Sequence, residues 1–520
     1  MTNLPSTWSL CAIGDVLAPV EMTGKDETDR EIWYVDISSI DNQTNRITEP
    51  KRLQLSEAPS RARQKIVVGD VLFSTVRPYL RKIAAVDAKY DGEIASTGFA
   101  VLRGATGIDP KYVFFKAISH DFVSALTGEQ YGVSYPAVKE EQVRAQPLEL
   151  PPSNEQRRIV EKIEAMFDEV DKGVESLQTA RTTLGLYRQS LLKSAFEGRL
   201  TADWRAQNTD KLEAPETLLA RIQKERDTRY KAALAAWQDA LAKWRAEGEN
   251  GKKPTKPKRP AELDIPSNLL GQSLPVLPTG WHWTSLSWLL SVERKPMTTG
   301  PFGTMLKKQE HQKSGVPVLG IENIGNGKFI PGNKIFVTDE KAQELAAFEA
   351  NAGDLAISRS GTVGEVCEVP DCFDKVLIST NLLLVRPNSQ VIESQFFVQM
   401  LQGCSAVRKQ IKELCKGSSR EFLNQTILSS IAFPICSPAE QAEIVCILDA
   451  RLEAADALEA EIDAALSRAD ALRQSILKKA FSGRLVPQDP DDEPATTLLA
   501  RIKADRAKTP KTKKRRTTHA

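Results

Sequence analysis

From Ile163 onward apolar residues recur every seven positions: Ile163, Val170, Leu177, Leu184 and Leu191, with Ile159, Met166, Ala180 and Tyr187 between them. A second series, Leu448, Ala455, Ile462, Ala469 and Ile476, is interleaved with Ile444, Leu458, Ala465 and Leu472. Neither run contains a proline, and a heptad seam of this length predicts two long helices that pack on each other. The alternative is a pair of unrelated long helices in a larger bundle. Ser153 with Gln156, and Ser437 with Glu440, predict capping boxes at the two starts. Gly198 and Gly483 predict the two stops. A helix of about 40 residues is about 60 Å long.

Outside these runs the pattern changes. IWYVDI (Ile32 to Ile37), DVLFSTV (Asp70 to Val76), FAVLR (Phe99 to Arg103), VLISTNLLLV (Val376 to Val385) and IAFPI (Ile431 to Ile435) read as strands punctuated by glycine and proline. KYVFFKAIS (Lys111 to Ser119) and SQFFVQMLQ (Ser394 to Gln402) read as amphipathic helices. Ala214 to Arg245 is helical in composition, with Tyr230, Trp237 and Trp244 spaced seven apart and expected to pack on a neighbouring helix. GKKPTKPKRP (Gly251 to Pro260) is a basic, proline-rich linker. The tail, ending in KTPKTKKRRTTHA, reads as basic and disordered.

The two periodic runs are copies. QSLLKSAFEGRL (Gln189 to Leu200) returns as QSILKKAFSGRL (Gln474 to Leu485), and Glu155-Gln156 returns as Glu440-Gln441, at one constant offset of 285 residues. Gly132 and Gly417 share that offset. Upstream, GDVLFSTVR (Gly69 to Arg77) resembles GDLAISRSG (Gly353 to Gly361), STGFAVLR resembles STNLLLVR, and LPSTW (Leu4 to Trp8) resembles LPTGW (Leu277 to Trp281), at drifting offsets. TLLARI occurs at Thr217 to Ile222 and again at Thr497 to Ile502. One chain therefore holds two related halves, each a variable globular domain followed by a segment of fixed length. The boundaries read as 1–152 for the first domain, 153–200 for the first long helix, 201–274 for the linker, 275–436 for the second domain, 437–485 for the second long helix and 486–520 for the tail. The fold class is α+β: two mixed α/β domains separated by a long antiparallel two-helix coiled coil.

Composition adds bounds. The 520 residues exceed one domain, and 27% charged with 41% hydrophobic residues suits a soluble protein. Net charge is only +2, so an anionic partner must be met by local patches. Seven scattered cysteines complete no zinc set and read as reduced cytosolic thiols. No basic residue precedes Lys25 and Asp15 breaks the only apolar patch, so no signal peptide is expected. Four histidines, no HExxH and no G-x-x-x-x-G-K-[ST] loop leave hydrolase and nucleotide chemistry without a motif. The Asp/Asn-Pro-Pro-aromatic tetrad of amino-methyltransferases is also missing; Pro151-Pro152-Ser153 is the nearest approach. The chain reads as binding surfaces and a spacer, with no catalytic or metal site.

Taken together, LP-x-x-W opening each half, TTGPFGTMLKK (Thr298 to Lys308), GDLAISRSGTVGEV (Gly353 to Val366), LPPSNEQRRIVEKI (Leu150 to Ile163) and RQSLLKSAFEGRL with its copy resemble the specificity subunits of type I restriction–modification systems. The first half departs from the pattern in lacking a GPFG sequence. The resemblance implies a cytoplasmic, non-catalytic, DNA-binding subunit with two target-recognition domains that read a bipartite double-stranded target. It implies two modification subunits, carrying S-adenosylmethionine for adenine-N6 methylation, and restriction subunits using ATP and Mg for host defence. No cofactor is expected on this chain. A non-enzymatic coiled-coil scaffold with two interaction domains is the alternative.

Base edges are read by donors and acceptors. The candidates are Thr75, Arg77, Tyr79, Arg81 and Lys82 in the first half, and Thr299, Lys307, Lys308, Ser358, Arg359, Ser360 and Thr362 in the second. The duplicated helix ends are the candidate partner-binding region. They comprise Arg188, Gln189, Ser190, Lys193, Phe196, Gly198, Arg199 and Leu200, with Arg473, Gln474, Ser475, Lys478, Phe481, Gly483, Arg484 and Leu485. Phe196 and Phe481 are either partner anchors or core residues.

Overall fold

The computed structural model describes residues 4–24, 29–127, 137–257, 259, 274–291, 294–415 and 422–508. The chain divides into two compact units, Met1–Ala180 with Glu461–Ala520, and Arg181–Ala460. Gly132 and Gly417 lie outside the described residues, as do residues 509–520 of the tail.

In the first unit, Ser9–Ala12 pairs antiparallel with Pro147–Leu150, closing the domain on itself. Val71–Ser74 lies between Phe99–Leu102 and Ile83–Ala85, antiparallel to both. A four-stranded sheet orders Lys51–Gln54, Glu31–Val35, Ile94–Ser96 and Ala62–Lys65, with Tyr34 opposite Ile94 in its one parallel pairing. The second unit repeats this plan. His282–Ser285 pairs with Ala432–Ile435. Leu355–Ser358 lies between Leu382–Val385 and Val366–Glu368. The sheet Ile335–Val337, Val316–Leu319, Val376–Ile378, Glu349–Ala350 again has one parallel pairing, Val318 opposite Leu377. The second unit adds Met297–Thr299 on the outer edge of Leu382–Val385, directly before the GPFG sequence that the first half lacks. VLISTNLLLV is thus two strands, because Ser379–Asn381 turns the chain from one sheet into the other.

The echoed motifs meet within each unit. Asp70 and Arg103 close the pairing of Val71–Ser74 with Phe99–Leu102: the Arg103 guanidinium donates to Asp70 at 2.8 and 2.7 Å, and the carboxylate is almost fully buried. Asp354 takes the same place in the second unit, facing Arg294 at 2.7 Å and Arg386 at 3.4 Å.

Each long helix runs 44 residues, Ser153–Phe196 and Pro438–Phe481, and contributes its start to one unit and its end to the other. The start is fixed by a buried glutamine. Gln156 accepts the Asp109 N–H at 2.9 Å and donates to the Pro151 carbonyl at 3.0 Å. Gln441 likewise accepts from Glu393 N–H at 3.0 Å and donates to the Cys436 and Val391 carbonyls at 2.9 Å. This changes the expected caps. Ser153 donates to the Gly107 carbonyl instead of capping, since the domain's own backbone groups compete for both side chains. Ser437 does accept the Glu440 N–H, but the Glu440 carboxylate turns to Thr201 at 2.7 Å and Arg205 at 2.6 Å.

The helix ends are fixed by phenylalanine and glycine. Phe196 packs on Phe396 at 5.4 Å in the second unit, and Phe481 on Tyr112 at 5.3 Å in the first. Gly198 (φ 68°) and Gly483 (φ 69°) stop the helices in the left-handed region. A Cβ there would meet Pro278 at 2.3 Å and Pro5 at 2.5 Å respectively. Those prolines belong to the two LP-x-x-W motifs, so each motif needs glycine opposite it for space as well as for conformation.

Inside each unit the two helix segments run antiparallel. In the second, Arg188 binds Asp456 at 2.7 Å and Glu459 at 2.5 Å, while Thr201 and Arg205 meet Glu440. In the first, Asp171 pairs with Arg473, and Arg158 with Asp492 at 2.7 Å. The heptad seam is buried where domain packs on helix, at Ile159, Ile163, Leu191, Ile444, Leu448 and Ile476. Four interleaved positions, Ala180, Tyr187, Leu458 and Leu472, are exposed instead, because a two-helix pair has no third layer to cover its second stripe.

Two other expectations change. The tail is not disordered throughout: Ala495–Lys508 is a helix whose Leu498 and Ile502 enter the first core, and Arg506 donates to the Gly14 carbonyl at 2.8 Å. The matching TLLARI opens the helix Pro215–Ala246, where Leu218 and Ile222 enter the second core and Arg226 donates to the Ser287 carbonyl. Trp237 and Trp244 do not pack on a helix. Their indole N–H groups donate to the carbonyls of Pro254 at 3.0 Å and Gly251 at 3.4 Å, in the proline-rich strand.

Candidate nucleic-acid interface

In the first domain the candidate residues form one loop leaving the strand Val71–Ser74. Thr75 donates its hydroxyl to the Gly98 carbonyl at 2.8 Å. Arg77 (φ 49°) and Arg81 (φ 52°) hold left-handed backbone on either side of the turn Pro78–Leu80. Non-glycine residues pay for that conformation, and such strain gathers at functional loops. Arg81 donates to the Ile118 carbonyl, and burial lowers the pKa of its guanidinium. Lys82 donates to the Ile40 carbonyl. Arg81, Lys82 and Thr75 therefore tie the loop down, and Tyr79 at the tip is 52% exposed. Asn42 steadies the tip through the Leu80 carbonyl at 3.0 Å.

In the second domain the structure gathers Thr299, Ser358, Arg359, Ser360 and Thr362 around one turn. Ser358 is fully buried and donates to the Ser360 carbonyl at 3.1 Å, so its hydroxyl shapes the turn from inside. Thr362 donates to Ser358 at 3.1 Å, Ser360 to Asn381 at 3.2 Å, and Thr299 accepts from Gln425 at 2.9 Å. Arg359 donates to the Thr380 carbonyl at 3.1 Å and lies 4.4 Å above the Phe422 ring. Burial lowers its pKa too. A Cβ on Gly300 would meet the Ser379 carbonyl oxygen at 1.9 Å, so the GPFG sequence rests directly on the turn Ser379–Asn381. Lys307 and Lys308 are exposed farther along that loop. Phe302, 72% exposed in the same segment, escaped the sequence reading; an aromatic between two glycines of a surface loop was the available signal.

The duplicated helix ends divide by burial. Phe196, Gly198, Leu200, Phe481, Gly483 and Leu485 are buried or half-buried, which places both phenylalanines in the cores. Arg188 and Arg473 bind the opposing helix, and Gln474 accepts the His120 N–H at 2.8 Å. Gln189, Ser190, Lys193, Arg199, Ser475, Lys478 and Arg484 remain exposed. Leu186, Tyr187 and Leu458 in the second unit, and Leu472 in the first, add exposed apolar surface on the same helices, which the heptad reading had assigned to the seam or passed over. Among the described residues no three His, Cys, Asp or Glu side chains converge as a metal site, and no helix is long and apolar enough to cross a membrane.

Residues 302–468 match the family model of the type I restriction modification DNA specificity domain. The EcoBI type I restriction enzyme specificity subunit of Escherichia coli is 23% identical over 405 residues, spanning 76% of this chain and 72% of that one. The EcoKI specificity subunit of Escherichia coli K12 is 34% identical over 82 residues, 16% of this chain and 18% of its own. A chain from a solved structure of a type I R-M system, described for its complex assembly and conformational transition, superposes with a TM-score of 0.66. It is 25% identical and spans 93% of this chain and 99% of the other.

Proposed function

We propose that this chain, a non-catalytic specificity subunit of the type I restriction–modification family, reads a bipartite DNA target with its two domains and sets the gap between half-sites with its two long helices. The observation that carries this is the duplication at the level of contacts: the same domain plan, with a buried glutamine at the helix start, a buried Asp facing the echoed Arg and a Pro-on-Gly lock, is built twice. Two equivalent readers in one chain suit a target with two halves, as two-fold proteins suit paired half-sites one or more helical turns apart.

In the first domain Tyr79 and Arg77 present the reading surface, and Thr75, Arg81 and Lys82 hold it. In the second, Lys307, Lys308, Thr299, Ser360 and Thr362 face the bases, and Ser358 and Arg359 set the turn. The exposed side chains of the helix ends, with Leu186, Tyr187, Leu458 and Leu472, receive two modification subunits; exposed apolar residues along a helix suit helical partners. Those subunits carry S-adenosylmethionine and methylate adenine N6, with the base leaving the stack for their pocket. Restriction subunits bring ATP and Mg.

The test is a map of N6-methyladenine across the genome in cells with and without the gene, followed by a variant lacking seven matched residues from each long helix. A bipartite motif that vanishes on deletion, and whose gap shortens in the variant with both half-sites intact, is the expected result. An unchanged gap in a folded variant refutes the spacer. An unchanged map, with the modification subunit active, leaves the scaffold alternative in its place.

A further inference from the structure

The helix Pro215–Ala246 serves a core only at its start. Past Arg226 no described residue as far as Pro257 is buried, so about twenty residues of helix, roughly 30 Å, and the strand folded back on it add nothing to any core. Their composition is one-sided. Arg229 to Arg259 holds nine basic and three acidic residues, a net +6, which leaves the rest of the chain at −4. Lys231, Lys243, Arg245, Lys252, Lys253 and Lys256 make no ion pair among the described residues.

The lysines of the strand are held in register. The two indole bonds fasten the strand antiparallel along the helix, and Lys253 and Lys256 lie 5.9 and 5.7 Å above the rings of Trp244 and Trp237. Seven helical residues span about 10.5 Å, and three extended residues about 9.3 Å, so the two elements match in pitch.

We propose that this hairpin arm is a second, sequence-independent DNA contact, in which Lys252, Lys253 and Lys256 bind the phosphate backbone of a duplex outside the bases read by the domains. The proposal rests on the DNA-reading function above. Phosphate contacts position a protein without carrying sequence information. The arm raises affinity for any duplex and leaves the choice of target to the two domains.

The test uses the full chain, a 60-base-pair duplex of arbitrary sequence, and the exposed triple variant K252Q/K253Q/K256Q. Each lost phosphate contact lowers the slope of log affinity against log salt by about 0.9, so a fall of about 2.7 is expected, with roughly a hundredfold weaker binding at 0.1 M salt. The methylated motif in cells is expected to stay the same. A slope within one unit of wild type overturns the arm while the DNA-reading function stands. An unaltered slope with loss of the co-purifying modification subunit makes the arm a protein contact and overturns it as well. Absence of salt-dependent duplex binding by the unmodified chain refutes the underlying function.

Discussion

Asp70→Ala tests the buried pair that each domain repeats. The Asp70 carboxylate is 1% exposed and accepts two bonds from Arg103 and one from the Val67 N–H at 2.9 Å. Removing it strands a mostly buried guanidinium whose other bond, to the Lys65 carbonyl at 3.0 Å, carries no charge compensation. Breaking a buried pair from one side costs about 3–5 kcal/mol. Replacing both partners by apolar groups is often close to neutral. The single variant D70A and the single variant R103M are therefore each expected to lose about 3 kcal/mol or more, and D70A/R103M much less than their sum. The pair joins Val71–Ser74 to Phe99–Leu102, so the readout is native-state hydrogen exchange at those strands; about 3 kcal/mol is a hundredfold or greater loss of protection. Global melting is unsuited, since two units need not unfold together. Additive single losses, or less than a tenfold change in D70A, would refute the assignment of a coupled buried pair.

Leu498→Ala and Ile502→Ala are each expected to cost about 2–5 kcal/mol until the tail helix detaches, after which further substitutions cost nothing; protease cleavage within Ala495–Lys508 reads the detachment, and equal resistance in the double variant would contradict the docking. Phe196→Ala and Phe481→Ala are expected to destabilise the second and first cores respectively by about 3–5 kcal/mol, whereas Lys193→Ala and Lys478→Ala leave hydrogen exchange unchanged; the reverse ranking would return the phenylalanines to the partner surface. Burial raises the Asp36 pKa, but bonds from Lys51, Ser38 and Ser39 outweigh it and bring it down to about 2. With a folded value below the unfolded one, its stabilisation is full above about pH 4 and is lost as pH falls through about 2. Asp36→Asn is therefore expected to flatten the acid limb of the first domain's stability curve, and an identical limb would exclude this carboxylate.

What could be read from the sequence was whatever leaves a local period or a literal repeat. The strands, the amphipathic helices, the two glycine stops and the duplication all do. The Asp–Arg pair was half visible, since GD and the arginine ending STGFAVLR and STNLLLVR echo across the halves without declaring that they touch. The Pro5–Gly483 and Pro278–Gly198 contacts left no such trace, because a close approach between distant segments has no periodicity. The basic end of the tail masks the helix Ala495–Lys508 before it. The TLLARI copy at Thr497 carried the better signal, because a segment expected to be helical at Thr217 should be helical there too. Polarity along a loop cannot separate a side chain that faces solvent from one consumed by backbone carbonyls, as Arg81 is by Ile118 and Ser358 by Ser360.

The constant offset of 285 residues along the helices, beside the drift in the domains, has a cause in these contacts. Each helix has a socket at both ends: Gln156 in the first unit and Phe196 in the second, Gln441 in the second and Phe481 in the first. One inserted residue turns everything beyond it by about 100°. Inside the first unit an insertion between Gln156 and Asp171 would put that socket out of phase with the Arg473 pair, and inside the second an insertion between Arg188 and Phe196 would do the same to the Glu459 pair. An insertion in a domain loop moves nothing else. Each helix segment is therefore held in phase by the contacts of its own unit, before any demand from DNA is considered. On the spacer function this makes the gap between half-sites a quantity that changes in steps. A seven-residue change made in both helices keeps the seam and both sockets in phase, whereas the same change in one helix leaves the other holding the old distance.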